Sequence, residues 1–333
     1  MAPAAEPAAQ ASVPALEYRG PSKVKFDPKI HLNYIPPPKI HKMSELGMAH
    51  VGTSDLAATE PFQLATEAAI VELRRELLQP NTLKRRIHWW PRSPACLRGF
   101  TKEEAPFTHA FWTSPEVLRI ISSLSTIDME PALPYEIGHT NAQLGAKGRE
   151  EEKGEFDDVP VDNWHTDSFA YSVVMMLSNT EKMLGGETAL RMPDGTVKKL
   201  RGTEMGSCIF IQGRNMPHAA LRARNTGERI TMVCPYRPAH PAIRDETEIT
   251  NSLELSYLNE LYGQFSMERF KVVKKKCDYM IRRLEEDKKA ALEREPENYN
   301  AVIMDRKEVK TMMEDIIWYL EVALKQMGMD KDE

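Results

Sequence analysis

"GSCIFIQGRNMPHAALRARNTGERITMVCPYRP" occupies residues 206–238 of the chain. It holds three short apolar runs, "GSCIFIQG", "HAALRAR" and "RITMVCPYRP", parted by turn formers. Such runs between Gly, Pro and Asn read as short strands. The same texture extends upstream through "LPYEIGHTN" (133–141), "SFAYSVVMMLS" (168–178), "GETALRM" (186–192) and "TVKKLRG" (196–202). "MPDGT" (192–196) between the last two predicts a hairpin, because proline presets φ and glycine takes the left-handed position. Many short strands at this spacing argue for a β-sandwich or barrel over 133–238.

The flanks read differently. Residues 1–20 predict a disordered arm and "YIPPPKI" (34–40) an extended connector. A helix fits 61–79, with Pro61 in its first turn and Ala65, Ala69, Leu73 and Leu77 four apart. Another fits 114–125, with Ser114 as N-cap, Pro115 at N1, and Val117, Leu118, Ile121 and Leu124 on one face. Helical spacing returns over 253–262, 266–290 and 306–327, carried by Phe270, Val273, Cys277, Met280, Ile281 and Leu284, then by Met313, Ile316, Ile317, Leu320 and Leu324. These helices are expected to brace the β core, and they also offer a contact for a homo-oligomer. The expected division is therefore an arm (1–20), a helical and irregular flank (21–132), a β core (133–238) and a C-terminal helical region (239–333). The charged loop "AKGREEEKGEFDDVPVDN" (146–163) leads straight into His165, and is either a solvated connector or a lid.

The bulk numbers exclude several functions. A net charge of −5 over 333 residues gives no reason to expect nucleic-acid or anionic-membrane partners. No apolar stretch reaches the ~18 residues of a membrane span. The N-terminus lacks a basic region and a leucine-rich core, so a signal peptide is not expected. Four scattered cysteines suggest reduced thiols, and a cytoplasmic location is the default expectation.

The chemistry begins at "NWHTDSFAY" (163–171). His165 and Asp167 are two apart and would share one strand face. Downstream, His218 lies between two predicted strands, and Arg229 follows eleven residues later with Thr231 on its face. Two imidazoles and one carboxylate on one side of a metal form the facial triad that holds Fe(II) and leaves adjacent positions open. A bidentate cosubstrate can take two of them and dioxygen the third. A guanidinium nearby can clamp a second carboxylate on that cosubstrate, with a threonine hydroxyl assisting.

With these residues in hand, the chain resembles the 2-oxoglutarate/Fe(II)-dependent oxygenases with a double-stranded β-helix, or jelly-roll, core. The likeness covers about 133–238 and rests on "HTD", on "GGET" (185–188), which is similar to prolyl-4-hydroxylase-like members, and on the stretch quoted first. The flanks resemble uncharacterised fungal members. The resemblance implies a mainly β jelly-roll core braced by N- and C-terminal helices. It implies His165, Asp167 and His218 as iron ligands, and Arg229 and Thr231 at the distal carboxylate of 2-oxoglutarate. Tyr135 and Asn141 on the first core strand would also reach the cosubstrate. Trp164, Phe169, His139, Arg214 and Tyr236 are candidates for a substrate pocket, as are Trp89 and Trp90. Prolyl hydroxylases typically carry lysine where Arg229 stands, which weakens the analogy for the substrate but not for the cosubstrate. The implied reaction consumes O2 and 2-oxoglutarate, releases succinate and CO2, and oxidises an unactivated C–H bond by hydroxylation, desaturation or ring closure. The expected substrate is a small molecule such as an amino acid or a secondary metabolite. A peptide side-chain hydroxylase of the same fold and a non-catalytic β-barrel binding protein are the alternatives.

Overall fold

The structure is a computed structural model and describes residues 23–88, 95–144, 160–202 and 204–329. The expected arm, Trp89, Trp90 and most of the expected lid lie outside the described residues.

Eight strands organise the molecule: β1 (His139–Leu144), β2 (Pro160–His165), β3 (Tyr171–Met176), β4 (Thr188–Arg191), β5 (Val197–Leu200), β6 (Ser207–Ile211), β7 (His218–Leu221) and β8 (Glu228–Pro238). The chain shuttles between two antiparallel sheets. One carries the order β6-β3-β8-β1, the other β5-β4-β7-β2. Among the described residues the first grows to eleven strands by adding pieces from the N-terminal flank.

Those additions correct the sequence reading. Pro61 does not open a helix: Phe62–Ala65 is a strand paired with Leu32–Ile35 and with β6. The helix starts after it, at Glu67–Leu77, where the Thr66 side chain caps Ala69 N. Phe62, Leu64 and Ala65 are buried in the sheet, and that pairing outweighs a periodicity that would have carried the helix back to Pro61. Ala95–Leu97 likewise extends the sheet beyond β1. The second helix is as the sequence predicts: Pro115–Ser125, with the Ser114 side chain accepting from Val117 N. The hairpin at 192–196 also forms, with Gly195 N donating to Met192 O at 2.9 Å and Gly195 at φ 84°.

Apolar residues fill both sides of the large sheet unevenly. On its outer face Val173, Met175, Phe210, Met232 and Cys234 pack with Leu73, Leu77, Phe111 and Trp112 of the N-terminal helices. Between the sheets, one end is filled by Leu190, Leu200, Ile209, Ile211 and Met216. Each such buried side chain contributes about 1.5–3 kcal/mol. The other end is not filled, and the candidate site lies there.

The C-terminal region forms two helices, Leu258–Arg294 and Arg306–Gln326. Leu261, Phe265 and Ala323 pack on Leu133, Tyr135 and Phe169. Among the described residues no helix is long and apolar enough to cross a membrane.

Candidate active site

The unfilled end of the sandwich is a cavity of about 290 Å³. Its floor comes from alternate residues of the large sheet: Ser172 and Val174 of β3, Arg229, Thr231 and Val233 of β8, and His139 and Asn141 of β1. The intervening residues Ile230 and Met232 point into the outer core, as strand periodicity requires. The facing sheet supplies Asp162 and His165 of β2 and His218 and Ala220 of β7. An irregularity in the β2–β7 pairing, between His218↔His165 and Ala220↔Asp162, brings both Asp162 and His165 to the cavity although they are three apart. Left dry and apolar, a void of this size would cost about 7 kcal/mol at the ~24 cal/mol per Å³ typical of core cavities. Its lining is instead mainly polar.

His165, Asp167 and His218 converge in it, each offering a ligand atom within 4.8 Å of the others. The Nε2 atoms of His165 and His218 stand 3.6 and 3.4 Å from Asp167 Oδ1. The far sides of the rings are fixed. His165 Nδ1 donates to Asn163 O at 2.6 Å and His218 Nδ1 to Met216 O at 2.9 Å. That tautomer turns both Nε2 lone pairs toward the common centre. Asp167 is fixed as firmly: its Oδ2 accepts from Ser172 Oγ at 2.6 Å and its N–H donates to Gly213 O at 2.9 Å. Only glycine fits at 213, because a Cβ there would fall 2.1 Å from Asp167 Oδ2.

The electrostatics suit a cation. Burial raises the pKa of Asp167, but the imidazoles of His218 and His165 outweigh it and hold the carboxyl well below its ordinary range. Burial lowers that of His165, yet the Asp167 carboxylate overrides it and holds the ring up at about 9. Two imidazole nitrogens and one carboxylate oxygen, pre-aimed at one point, fit a first-row divalent ion with positions left open.

Arg229 stands at one end of the same cavity. It is buried, and among the described residues its guanidinium makes no ion pair. Its Nε donates to Gly186 O at 2.9 Å. Burial lowers its pKa to about 10, since Glu187 and Asp162 offset desolvation only in part. A buried cation without a counter-ion is costly unless an anion joins it. Gly186 beside it is left-handed at φ 76°, and a Cβ there would meet Met183 Sδ at 2.9 Å, Ala223 Cβ at 3.1 Å and Arg229 Cδ at 3.3 Å. Thr231 and Asn141 lie opposite each other across the β8–β1 pairing, beside Arg229.

Phe169 and His139 line the cavity as well, with His139 Nδ1 3.0 Å from Glu136 Oε2. Four expectations need correction. Tyr135 is on a 3₁₀ turn (Pro134–Glu136), not on β1; it is fully buried, and its hydroxyl accepts from Tyr257 N at 3.1 Å outside the cavity. Pro134 and the left-handed Gly138 delay the strand start to His139. Trp164 faces away, under the Arg191 guanidinium at 4.3 Å. Arg214 is held outside by Glu248 at 2.7 Å. Tyr236 is buried in the outer core, donating to Trp112 O at 3.0 Å.

Sequence reasoning missed other residues. Arg98 borders the cavity, its Nη1 on Glu136 Oε2 at 2.6 Å and Ser252 Oγ at 3.1 Å. Asn251, Ser252 and Leu255 roof it from the C-terminal region. No local motif marks them, since they come from an aperiodic stretch and a 3₁₀ segment (Thr250–Leu255).

No family model matches the chain, and no curated protein matches it. Solved structures do. An oxidoreductase of the 2OG-Fe(II) oxygenase family from Burkholderia pseudomallei matches at 14% identity over 43% of this chain and 65% of that one, with a TM-score of 0.32. The chain thus spans just under two thirds of that protein's length. A prolyl-4-hydroxylase from Pseudomonas putida matches at 14% identity over 52% of this chain and 88% of that one, TM-score 0.33. HygX from Streptomyces hygroscopicus, solved with nickel and 2-oxoglutarate bound, matches at 10% identity over 52% and 79%, TM-score 0.35.

Proposed function

We propose that the chain is a 2-oxoglutarate/Fe(II)-dependent oxygenase that oxidises a C–H bond of a small molecule. One observation carries this: three side chains able to ligate a metal and a buried guanidinium that makes no ion pair among the described residues share a single cavity. The strand order of the two sheets supports a jelly-roll core for it. His165, Asp167 and His218 would hold the iron. When bound, ferrous iron supplies the coupling of 2-oxoglutarate, O2 and substrate C–H to succinate, CO2 and substrate C–OH.

The residues of the chain do the positioning. Asn163 O and Met216 O accept from Nδ1 of the two imidazoles, which leaves each Nε2 aimed inward as the ligand atom. The Ser172 hydroxyl keeps the Asp167 carboxylate from rotating, and the Gly213 carbonyl holds the Asp167 backbone N–H. Arg229 binds the distal carboxylate of the keto-diacid and Thr231 adds a hydroxyl, which orients its keto end toward the triad. The register supports a second subsite. Arg98 follows Leu97, which faces Thr140, so it falls beside His139 and Val233. That row is four residues along β8 from Arg229, about 13 Å away. Arg98, Asn251, Ser252, Phe169 and Leu255 would then bind the substrate at the end that the keto-diacid leaves free. A volume of about 290 Å³, at the lower edge of ligand pockets, supports a small metabolite such as an amino acid over a peptide.

The test is succinate release with Fe(II), 2-oxoglutarate and O2 across a panel of amino acids and other small metabolites. Succinate formed in step with one oxidised product supports the reading. No iron-dependent consumption of 2-oxoglutarate with any member, from protein that binds neither iron nor 2-oxoglutarate, overturns it.

A further inference from the structure

The two C-terminal helices leave apolar side chains in water. Phe270 is 69% exposed, Met313 61% and Ile317 56%, and Met267, Ile281, Leu292 and Leu324 are exposed as well. On the first helix, Met267, Phe270, Cys277 and Ile281 follow three- and four-residue steps with Lys274 between them, the a/d spacing of a heptad. On the second, Met313, Ile317, Leu320 and Leu324 repeat it.

Both stripes lie on one outer face of the helical hairpin. The helices meet along Arg283–Glu308 (3.5 Å), Lys276–Asp315 (2.9 Å) and Arg269 to Tyr319 O (3.4 Å). Glu268 and Lys275 reach the β core instead, at Arg237 (3.2 Å) and Glu130 (2.9 Å). At about 100° per residue the first stripe is centred roughly 150° from the buried side of its helix, and the second roughly 120° from that of its own. Ser266 Oγ touches Met327 Sδ at 3.3 Å, and on each helix that contact lies between the buried side and the stripe. The stripes therefore flank it together.

We infer that this face is the contact for a second copy of the chain, the two hairpins closing into a four-helix bundle about a two-fold axis. A heptad stripe is matched by helices with the same 3.5-residue stripe, and this hairpin supplies two. The surrounding charges select no partner of opposite sign: Lys274–Asp278 and Lys310–Glu314 pair within their own helices, at 2.5 and 3.6 Å. A face of mixed sign is its own complement across a two-fold axis. At 1.5 Å per residue the first stripe, Met267 to Leu292, spans about 38 Å and the second, Met313 to Leu324, about 17 Å, each on a helix about 10 Å across. A corrugated face of that size covers about 550 Å², just above the roughly 500 Å² per partner that a specific interface needs. Lys274 in the middle of the stripe would fix register at some cost in affinity.

Sedimentation velocity of the full chain over a dilution series tests this. Native protein is expected to sediment as a dimer that dissociates on dilution, and Phe270→Glu/Ile317→Glu as a monomer with an unchanged circular-dichroism spectrum. Ile35→Glu, which changes an equally exposed residue elsewhere, is expected to stay dimeric. Maleimide labelling of Cys277, the exposed cysteine, gives a second readout that needs no variant: its rate should rise as the native dimer is diluted. A native monomer at the highest attainable concentration overturns the inference. So does a dimer that the double substitution leaves intact, or a monomer that instead floats with phosphatidylcholine vesicles.

Discussion

His165 carries two opposed demands. Without metal, Asp167 holds its ring protonated up to about pH 9, whereas a metal needs the ring neutral. Metal binding below that pH must therefore expel a proton. Apparent metal affinity is expected to rise about tenfold per pH unit from pH 7 to 9 and then level off. Calorimetry in two buffers of different ionisation enthalpy would read the released proton at pH 7.5, and its absence would contradict the assignment. The sign for folding is opposite: a His pKa raised above its ordinary 6.5 stabilises the metal-free protein below pH 6.5, and that contribution fades as pH passes 9. Gly213 is a sharper probe, because Gly213→Ala changes no ligand. Its Cβ would displace Asp167, and a fall of tenfold or more in metal affinity is expected by equilibrium dialysis, with the circular-dichroism spectrum unchanged. At this scale the sequence exposed the three ligand candidates and Arg229, because their spacing is set by short strands. It hid Ser172 and Gly213, whose roles depend on what lies across the sheet.

Among the elements, the join between the 3₁₀ turn at 134–136, the Ala95–Leu97 strand and the roof segment depends on one buried carboxylate. Glu136 accepts from Arg98, which also reaches Ser252, and it stands beside His139. Burial raises its pKa, but Arg98 and then His139 outweigh burial and hold it at about 2, below the ordinary 4.5. Because the folded value is depressed, its stabilisation is complete above pH 4.5 and is lost as pH falls toward 2. The amount is about 3 kcal/mol. Glu136→Gln is expected to cost about 3–5 kcal/mol at pH 7, since it leaves Arg98 buried without its anion. The variant should also lose less stability than the native chain between pH 5 and 3, and urea midpoints at the two pH values would check both. The hairpin at 192–196 and the Pro115–Ser125 helix were legible because local chemistry sets them. The strand at Phe62–Ala65 was not, because only its pairing with β6 distinguishes it from the start of a helix.

For the whole molecule, the sandwich is packed at one end by Leu190, Leu200, Ile209, Ile211 and Met216 and kept open at the other by polar side chains. The C-terminal helices brace the open end through Phe265, Ala323 and the roof segment. Tyr319 donates to Asp245 at 2.7 Å, and Arg269 stacks on its ring at 3.8 Å. Deleting 306–329 would leave Asp245 and Arg269 without that partner. A drop in melting temperature of roughly 5–15 °C is expected by calorimetry, from a loss of several kcal/mol at about 2–4 °C each. Strand-rich texture and helical flanks could be read from the sequence, because both follow from hydrophobic period. The enlargement of one sheet by N-terminal strands could not, nor could the place of Arg98, since both depend on contacts distant in sequence.

The central claim is that one cavity holds a ferrous ion on His165, Asp167 and His218 and a keto-diacid on Arg229. Anaerobic titration of the purified protein with Fe(II) and then 2-oxoglutarate, followed by visible absorption, tests it most directly. The account predicts one iron per chain and a charge-transfer band on adding 2-oxoglutarate. His218→Ala should retain no iron. Arg229→Ala should retain iron but require about 100-fold more 2-oxoglutarate, within the 2–5 kcal/mol that losing one member of a buried charge pair costs. A native protein that retains no iron, or an Arg229→Ala variant that binds 2-oxoglutarate as tightly as the native chain, would contradict it.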